Sequence, residues 1–164
     1  MKRAVIFLLV ICFIFSSCQQ KNFVYLVRHA EKSDAPSGDV YLSQQGRNRA
    51  HDLKRRLMKK NITYIFTTHF NRTRETAQPL AEEIGIPIKN YSYDTLGKFV
   101  KRCLKLRQNI LIVGHSNTLL PTLDSFHVAH NKKVIDDGEY NNLFIIMLKK
   151  GKVAGCKETT YGKP

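Results

Sequence analysis

Three short stretches of this chain carry side chains suited to gripping and attacking a phosphate. Arg28-His29-Ala30-Glu31 follows the apolar run Phe23 to Val27, and Arg72-Thr73-Arg74-Glu75-Thr76-Ala77 lies mid-chain. Gly114-His115-Ser116 closes a second apolar run, Asn109 to Val113. A phosphoryl group in transfer spreads negative charge over its equatorial oxygens, so catalysis is mainly positioning plus electrostatic stabilisation. Arginine suits that charge, because its planar fork donates two parallel hydrogen bonds and stays protonated. Arg28 and Arg72 are the candidates for such a clamp. A neutral histidine held by one ring nitrogen is a nucleophile at the other and can form a phosphoenzyme. His29, beside the first arginine, fits that role, and His115 would donate a hydrogen bond to the transferred group. Alone, each piece is an ordinary dipeptide or a charged helical turn. Delivered together to element ends, they make a candidate phosphotransfer site.

The elements that must deliver them are legible from periodicity. Phe23–Val27 is continuously apolar, as in a strand buried on both faces. Ala50, Leu53 and Leu57 recur at helical spacing behind Ser43, a plausible N-cap. Ile62–Thr67 reads as a strand and Arg72–Ile84 as a helix stopped by Gly85. Ile86–Tyr91 reads as a short strand weakened by Pro87, and Leu96–Leu106 as a helix. Ile110–Val113 reads as a buried strand, followed by a helix over Asn117–Phe126 interrupted early by Pro121. Leu143–Leu148 and Val153–Lys157 read as a hairpin turning at Lys150-Gly151. This alternation predicts an α/β fold: three layers, a mostly parallel sheet with helices on both faces, and an antiparallel C-terminal hairpin at the edge. Ligands of such sheets bind beyond the carboxyl ends of the strands. Arg28-His29 and Gly114-His115 both sit at that end, so their imidazoles meet if the two strands are neighbours.

The motifs resemble those of the histidine phosphatase (phosphoglycerate mutase-like) superfamily. Leu26-Val27-Arg28-His29-Ala30-Glu31-Lys32 is similar to its Arg-His-Gly/Ala signature, and Leu42 to Ala50 to its Leu-Thr-x-x-Gly-x-x-Gln-Ala segment. Thr68 to Ala77 resembles its Ser-x-x-x-Arg-x-x-x-Thr-Ala, and Val113-Gly114-His115-Ser116 its second-histidine motif. The resemblance implies a phosphohistidine on His29, a phosphate pocket of Arg28, His29, Arg72 and His115, and no metal or other cofactor. It also implies an acidic group to protonate the leaving oxygen. Asp94 is the best-placed carboxylate, with a surface helix N-cap as its alternative role. Glu31 and Glu75 are expected instead to partner the arginines. The short stretch between Arg72 and His115 resembles compact phosphohistidine-phosphatase members and predicts an open, shallow pocket. The chain contains no CxxC or HExxH spacing that would suggest zinc.

Lys2-Arg3, the apolar stretch Ala4–Phe15 and Ser16-Ser17-Cys18 have the layout of a signal peptide and resemble a bacterial lipobox. The stretch is short for a membrane span. The chain is thus expected to divide into a leader 1–17, a tether 18–22 and one domain 23–164. Lipid on Cys18 would make the membrane a partner, and Gln19 favours the outer membrane, facing the periplasm, over the inner one. An uncleaved anchor and plain secretion are the alternatives. The formal charge of +14 falls to +12 when Lys2 and Arg3 leave. Such a balance favours anionic partners: phosphorylated small molecules, phosphate displayed on the envelope, or a membrane surface. Nucleic acid is not expected for an exported protein. Cys12 leaves with the leader, and Cys103 and Cys156 remain in a compartment that permits disulfides. Their pairing is left open by the sequence. The overall expectation is an envelope-anchored phosphomonoester hydrolase. A non-catalytic phosphate-ligand-binding lipoprotein with a degenerate site is the alternative.

Overall fold

A strand apolar on both faces needs helices above and below it, and β1 (Lys21–Arg28) has both. The computed structural model describes residues 21–34 and 38–163. The leader 1–17, Cys18 and the first part of the tether lie outside the described residues. β1 begins earlier than the expected domain start, because Lys21 pairs with Lys149 and Asn22 with Leu148. The end of the expected tether is therefore sheet.

After β1 come α1 (Gln44–Leu57), β2 (Ile62–Thr67), α2 (Asn71–Ile84) and β3 (Ile88–Asn90). A 3-10 turn, Tyr93–Thr95, leads into α3 (Leu96–Leu106), followed by β4 (Asn109–Gly114) and α4 (Ser116–Ser125). β5 (Asn142–Lys149) and β6 (Lys152–Thr160) complete the order. The described residues form one six-stranded sheet in the order β3-β2-β4-β1-β5-β6. β1, β2, β3 and β4 run parallel, whereas β5 is antiparallel to β1 and β6 to β5. The predicted three-layer fold with its edge hairpin is the observed one.

Alternation along the strands feeds two cores. Val24 and Leu26 of β1, with Ile110 and Ile112 of β4, pack with Phe99, Val100 and Cys103 of α3 and Leu119 and Leu123 of α4. Tyr25 and Val27, with Leu111 and Val113, pack with Leu53 and Leu57 of α1 and Ala77 and Leu80 of α2. The chain moves outward from β1 to β3 with α1 and α2 on one face, then returns to β4 and β5 with α3 and α4 on the other. Right-handed crossovers require that reversal of direction to change the face.

Ser43 caps α1 as expected, accepting from the Gly46 amide, and Gly85 ends α2 in the left-handed conformation at φ 67°. The glycine of the second motif has a separate cause. A Cβ at Gly46 would stand 2.1 Å from the Glu31 carbonyl oxygen, so only glycine lets α1 dock against the segment leaving β1.

Three expectations differ. β3 is confined to Ile88–Asn90, since Pro87 has no amide to donate. α4 is continuous through Pro121, because burial of Leu119, Leu120 and Leu123 outweighs one missing hydrogen bond. β6 extends to Thr160, its polar residues being tolerated on an edge strand. Cys103 is buried in α3 and Cys156 exposed on β6, both as free thiols. Among the described residues, no helix is long and apolar enough to cross a membrane.

Candidate active site

Because β1 and β4 are paired neighbours with Arg28 opposite Gly114, their ends deliver His29 and His115 side by side. The His29 amide donates to the Gly114 carbonyl at 2.9 Å, and the two rings meet edge-on with centroids 5.3 Å apart. His29 Nδ1 lies 2.8 Å from the Ala30 carbonyl oxygen. A carbonyl can only accept, so Nδ1 carries the proton and Nε2 keeps its lone pair. Burial pushes the His29 pKa down from 6.5 to about 3, aided by His115, Arg28 and Arg72 and opposed by the Ala30 hydrogen bond. The imidazole is therefore neutral at physiological pH with its free nitrogen fixed by the backbone.

Arg72 stands in the first turn of α2, as expected. Thr76 explains the spacing of its motif. The Thr76 hydroxyl accepts from the Ala30 amide at 2.9 Å and donates to the Arg72 carbonyl at 2.7 Å, bolting the helix to the backbone beside His29. Arg72 stacks over Phe70 at 4.3 Å and lies 4.0 Å from the Asp39 carboxylate.

Arg28 is buried and oriented by a loop far away in sequence. Its Nη1 donates to the carbonyls of Asp136, Asp137 and Glu139, and the guanidinium lies 4.1 Å over the Tyr140 ring. Nε is buried without a protein partner, and Nη2 has only the fully exposed Asp137 carboxylate, at 3.7 Å. The edge of the guanidinium suited to bidentate oxyanion binding is thus the one that the fold leaves uncommitted.

His115 is held at both nitrogens. Arg72 Nη2 can only donate, and it lies 3.4 Å from His115 Nδ1, so that nitrogen accepts. Nε2 then carries the proton and donates to Thr68 Oγ1 at 2.9 Å. Thr68 passes the relay to Thr73 Oγ1 at 3.0 Å, and Thr73 donates to the Phe70 carbonyl at 2.7 Å. Burial, then Arg72 and Arg28, lower the His115 pKa to about 4. Donation by His115 to a bound group requires protonation at Nδ1, which would turn Arg72 and His115 into two donors aimed at the same place.

These groups line a cavity of about 680 Å³ together with Lys32, His69, Tyr93 and Asp94. Asp94 is exposed on its wall and accepts from the Ser92 hydroxyl at 3.1 Å. It is not a helix N-cap: Ser92 caps the 3-10 turn and Thr95 precedes α3. The carboxylates expected to partner the site arginines are engaged elsewhere. Glu31 pairs with Arg49, with nitrogen–oxygen distances of 2.7 to 2.9 Å, while Glu75 accepts from the Leu42 amide because it projects toward that loop. Both Glu31 and Arg49 are buried, and leaving either charge unpaired there would cost about 3–5 kcal/mol.

Sequence reasoning did not find Thr68, Phe70, Asp39, Asp137 or Tyr140. Thr68 and Phe70 stand directly between β2 and Arg72, where a search for ring and hydroxyl partners would have met them. The loop 136–140 has no periodicity to mark it. Among the described residues, no group of three or more His, Cys, Asp or Glu is arranged to hold a metal ion.

A strand-end histidine between two arginines faces a second histidine at the carboxyl ends of two neighbouring parallel strands, an arrangement chemically suited to an oxyanion. Residues 24–92 match the model of the histidine phosphatase superfamily (branch 1). The chain thus carries that superfamily's sequence pattern over 24–92 and shares its fold with solved histidine phosphatases. A protein of Serratia proteamaculans named "Probable phosphoglycerate mutase GpmB" is 36% identical over 78 residues, which cover 41% of this chain and 34% of that protein. The match therefore spans about a third of that relative. Among solved structures, a protein histidine phosphatase SixA complexed with tungstate superposes with a TM-score of 0.67 at 10% identity, covering 84% of this chain and 96% of that one. A mycobacterial glucosyl-3-phosphoglycerate phosphatase superposes with a TM-score of 0.58 at 10% identity, covering 88% and 100%. Bacillus stearothermophilus YhfR gives a TM-score of 0.63 at 19% identity, covering 82% and 95%. At these identities the structural likeness shows the fold.

Proposed function

We propose that this chain is a phosphomonoester hydrolase working through a phosphohistidine on His29, carried on an exported lipoprotein anchored at Cys18. The observation that carries the reading is the neutral His29, its Nδ1–H tied to Ala30 and its Nε2 set among Arg28, Arg72 and His115. In the first step His29 Nε2 bonds to phosphorus as the bond to the leaving oxygen breaks, and that oxygen takes a proton from the Asp94 carboxylic acid. In the second step a water, giving its proton to the Asp94 carboxylate, attacks phosphorus and releases phosphate and free His29. Arg28 and Arg72 supply the positive charge in both steps.

Hydrolysis fits this pocket better than retention of the phosphoryl group for return to a substrate. Among the described residues, the stretch between α2 and β4 contributes a 3-10 turn and its flanking loop to the cavity wall, with no inserted helix of the kind that would cover a small substrate. By their names, one structural neighbour acts on phosphohistidine in proteins and another on a sugar-linked phosphoglycerate. The shared fold therefore supports phosphatase chemistry on either a phosphorylated small molecule or a phosphate displayed on the envelope. Placement in the outer membrane, facing the periplasm, is supported by Ser16-Ser17-Cys18-Gln19 behind the apolar stretch Ala4–Phe15.

The test is turnover of p-nitrophenyl phosphate with detection of acid-labile phosphate on His29 during the reaction. Tungstate, a phosphate-like oxyanion, should compete. Binding of tungstate with no turnover would overturn the reading and establish the non-catalytic phosphate-binding alternative.

Asp94 has its own signature. Asp94→Asn should slow hydrolysis of an alkyl phosphomonoester by about 10²-fold or more, since its leaving alkoxide needs a proton. The same variant should barely change the initial burst of p-nitrophenolate, because that leaving group departs without a proton, while steady-state turnover slows for want of the base in the second step. Equal slowing of phosphoenzyme formation from both substrates, or from neither, would remove Asp94 from the role of acid.

A further inference from the structure

We infer that the end of the sheet opposite the active site is a cationic face that lies against an anionic lipid surface. The inference goes beyond the phosphatase reading and stands whether or not His29 is phosphorylated.

The face is assembled from four separate parts of the chain. Lys21 opens β1 and pairs in register with Lys149 at the end of β5. Lys149 and Lys150 meet Lys152 across the hairpin turn, where Lys149 and Lys152 are cross-strand partners. A Cβ on Gly151 in that turn would come within 3.0 Å of the Leu104 carbonyl and 3.8 Å of Arg107 Nε, so the turn rests on the end of α3. The α1–β2 connection adds Lys59 and Lys60, and the Lys60 carbonyl is tied to the Asn109 side chain at the start of β4. Lys21, Lys59, Lys60, Arg107, Lys149, Lys150 and Lys152 are all exposed. Of the acidic residues in the last turns of the helices, Glu82 accepts from Gln78, Glu83 is engaged by Lys54 at 3.2 Å, and Asp124 lies 3.1 Å from His130 Nε2.

Two further observations select a lipid surface as the occupant. With the lipid proposed on Cys18, only Gln19 and Gln20 separate the anchor from Lys21 on this same face, so the membrane is brought to these lysines. Beside the lysines runs a groove lined by Phe23, Tyr25, Arg56, Lys59 and Lys60, which sets aromatic rings next to cations as at membrane–water interfaces. Clusters of lysine beside a membrane attract anionic headgroups, and the attraction acts within about a Debye length. β1 spans eight residues between this face and Arg28. At about 3.3 Å per residue that places the cavity roughly 25 Å from the lipid, opening away from it.

The experiment uses the full chain with vesicles of phosphatidylcholine, alone or mixed with phosphatidylglycerol, and reads lysine acetylation by mass spectrometry. Acetylation of Lys59, Lys60, Lys149, Lys150 and Lys152 should slow several-fold on the anionic vesicles relative to the neutral ones. Lys133 and Lys157, exposed elsewhere on the domain, should label equally on both. The variant Lys59→Glu/Lys149→Glu should return Lys60, Lys150 and Lys152 to the labelling rate seen on neutral vesicles. The variant Lys133→Glu/Lys157→Glu, with the same change in net charge, should keep the protection. Equal labelling on the two vesicle types, protection spread evenly to Lys133 and Lys157, or equal loss in both variants would each overturn the inference.

Discussion

Turnover of p-nitrophenyl phosphate by the His29→Asn variant should fall by at least ~10³-fold with the fold intact, as expected when a covalent nucleophile is removed. Asparagine places its amide nitrogen near the position of His29 Nδ1. It can therefore keep the hydrogen bond to the Ala30 carbonyl, which lies 2.8 Å from Nδ1 in the native site. Nothing then stands where Nε2 stood, so the variant separates the attacking atom from everything that positions it. Arg28 stays tied to the carbonyls of Asp136, Asp137 and Glu139, and Arg72 stays bolted through Thr76 to Ala30. The variant should accordingly bind tungstate with little change while failing to accumulate acid-labile phosphate. Turnover within tenfold of wild type would mean that a group other than His29 attacks phosphorus.

Electrostatics separate the roles of the two histidines. Both are neutral, but their tautomers are opposite: His29 has its proton on Nδ1, whereas His115 has it on Nε2, directed at Thr68. A single proton added at His115 Nδ1 changes that nitrogen from acceptor of Arg72 into a second donor. An incoming dianionic phosphate would favour that proton, just as Arg28 and Arg72 disfavour it in its absence. His29 thus stays neutral while its neighbour can gain charge where a bound anion would sit.

Much of this was legible in the sequence because the signals were local. The apolar runs ending at Val27 and Val113 fixed two buried strands, and their carboxyl ends fixed where Arg28-His29 and Gly114-His115 must emerge. Ser43 and Gly85 marked helix ends through the needs of unpaired backbone groups. What stayed hidden depended on contacts distant in sequence. The carbonyls that orient Arg28 are more than a hundred residues away. Arg49, where the family motif has glutamine, proved to be the partner of Glu31 and of the carbonyls of Tyr161 and Lys163, contacts that arise only when α1 docks on the segment leaving β1 and the residues after β6 pack behind it. Pro121 misled because a single missing donor is a local signal, while the three leucines that hold α4 in place act through tertiary burial.

The same His29→Asn variant should gain resistance to acid. The native pKa of His29 is about 3 against 6.5 for a solvated imidazole, so between those values the unfolded chain binds a proton that the native site refuses. The stability contributed by neutral His29 is complete above about pH 6.5 and is lost as pH falls toward 3. Between pH 7 and pH 4.5 that loss amounts to about 2–3 kcal/mol, from the linkage of one proton between those two pKa values. His115, with a pKa of about 4, acts in the same direction but is less buried, so its share is smaller. Asparagine takes up no proton in either state. Urea unfolding at the two pH values should therefore show the wild type losing about 2–3 kcal/mol more stability than His29→Asn on acidification. Parallel losses in the two proteins would show that His29 is not held neutral by burial among Arg28, Arg72 and His115. The variant expected to abolish turnover should thus be the more acid-stable protein, because the same burial that keeps the His29 imidazole neutral makes its protonation costly to the fold.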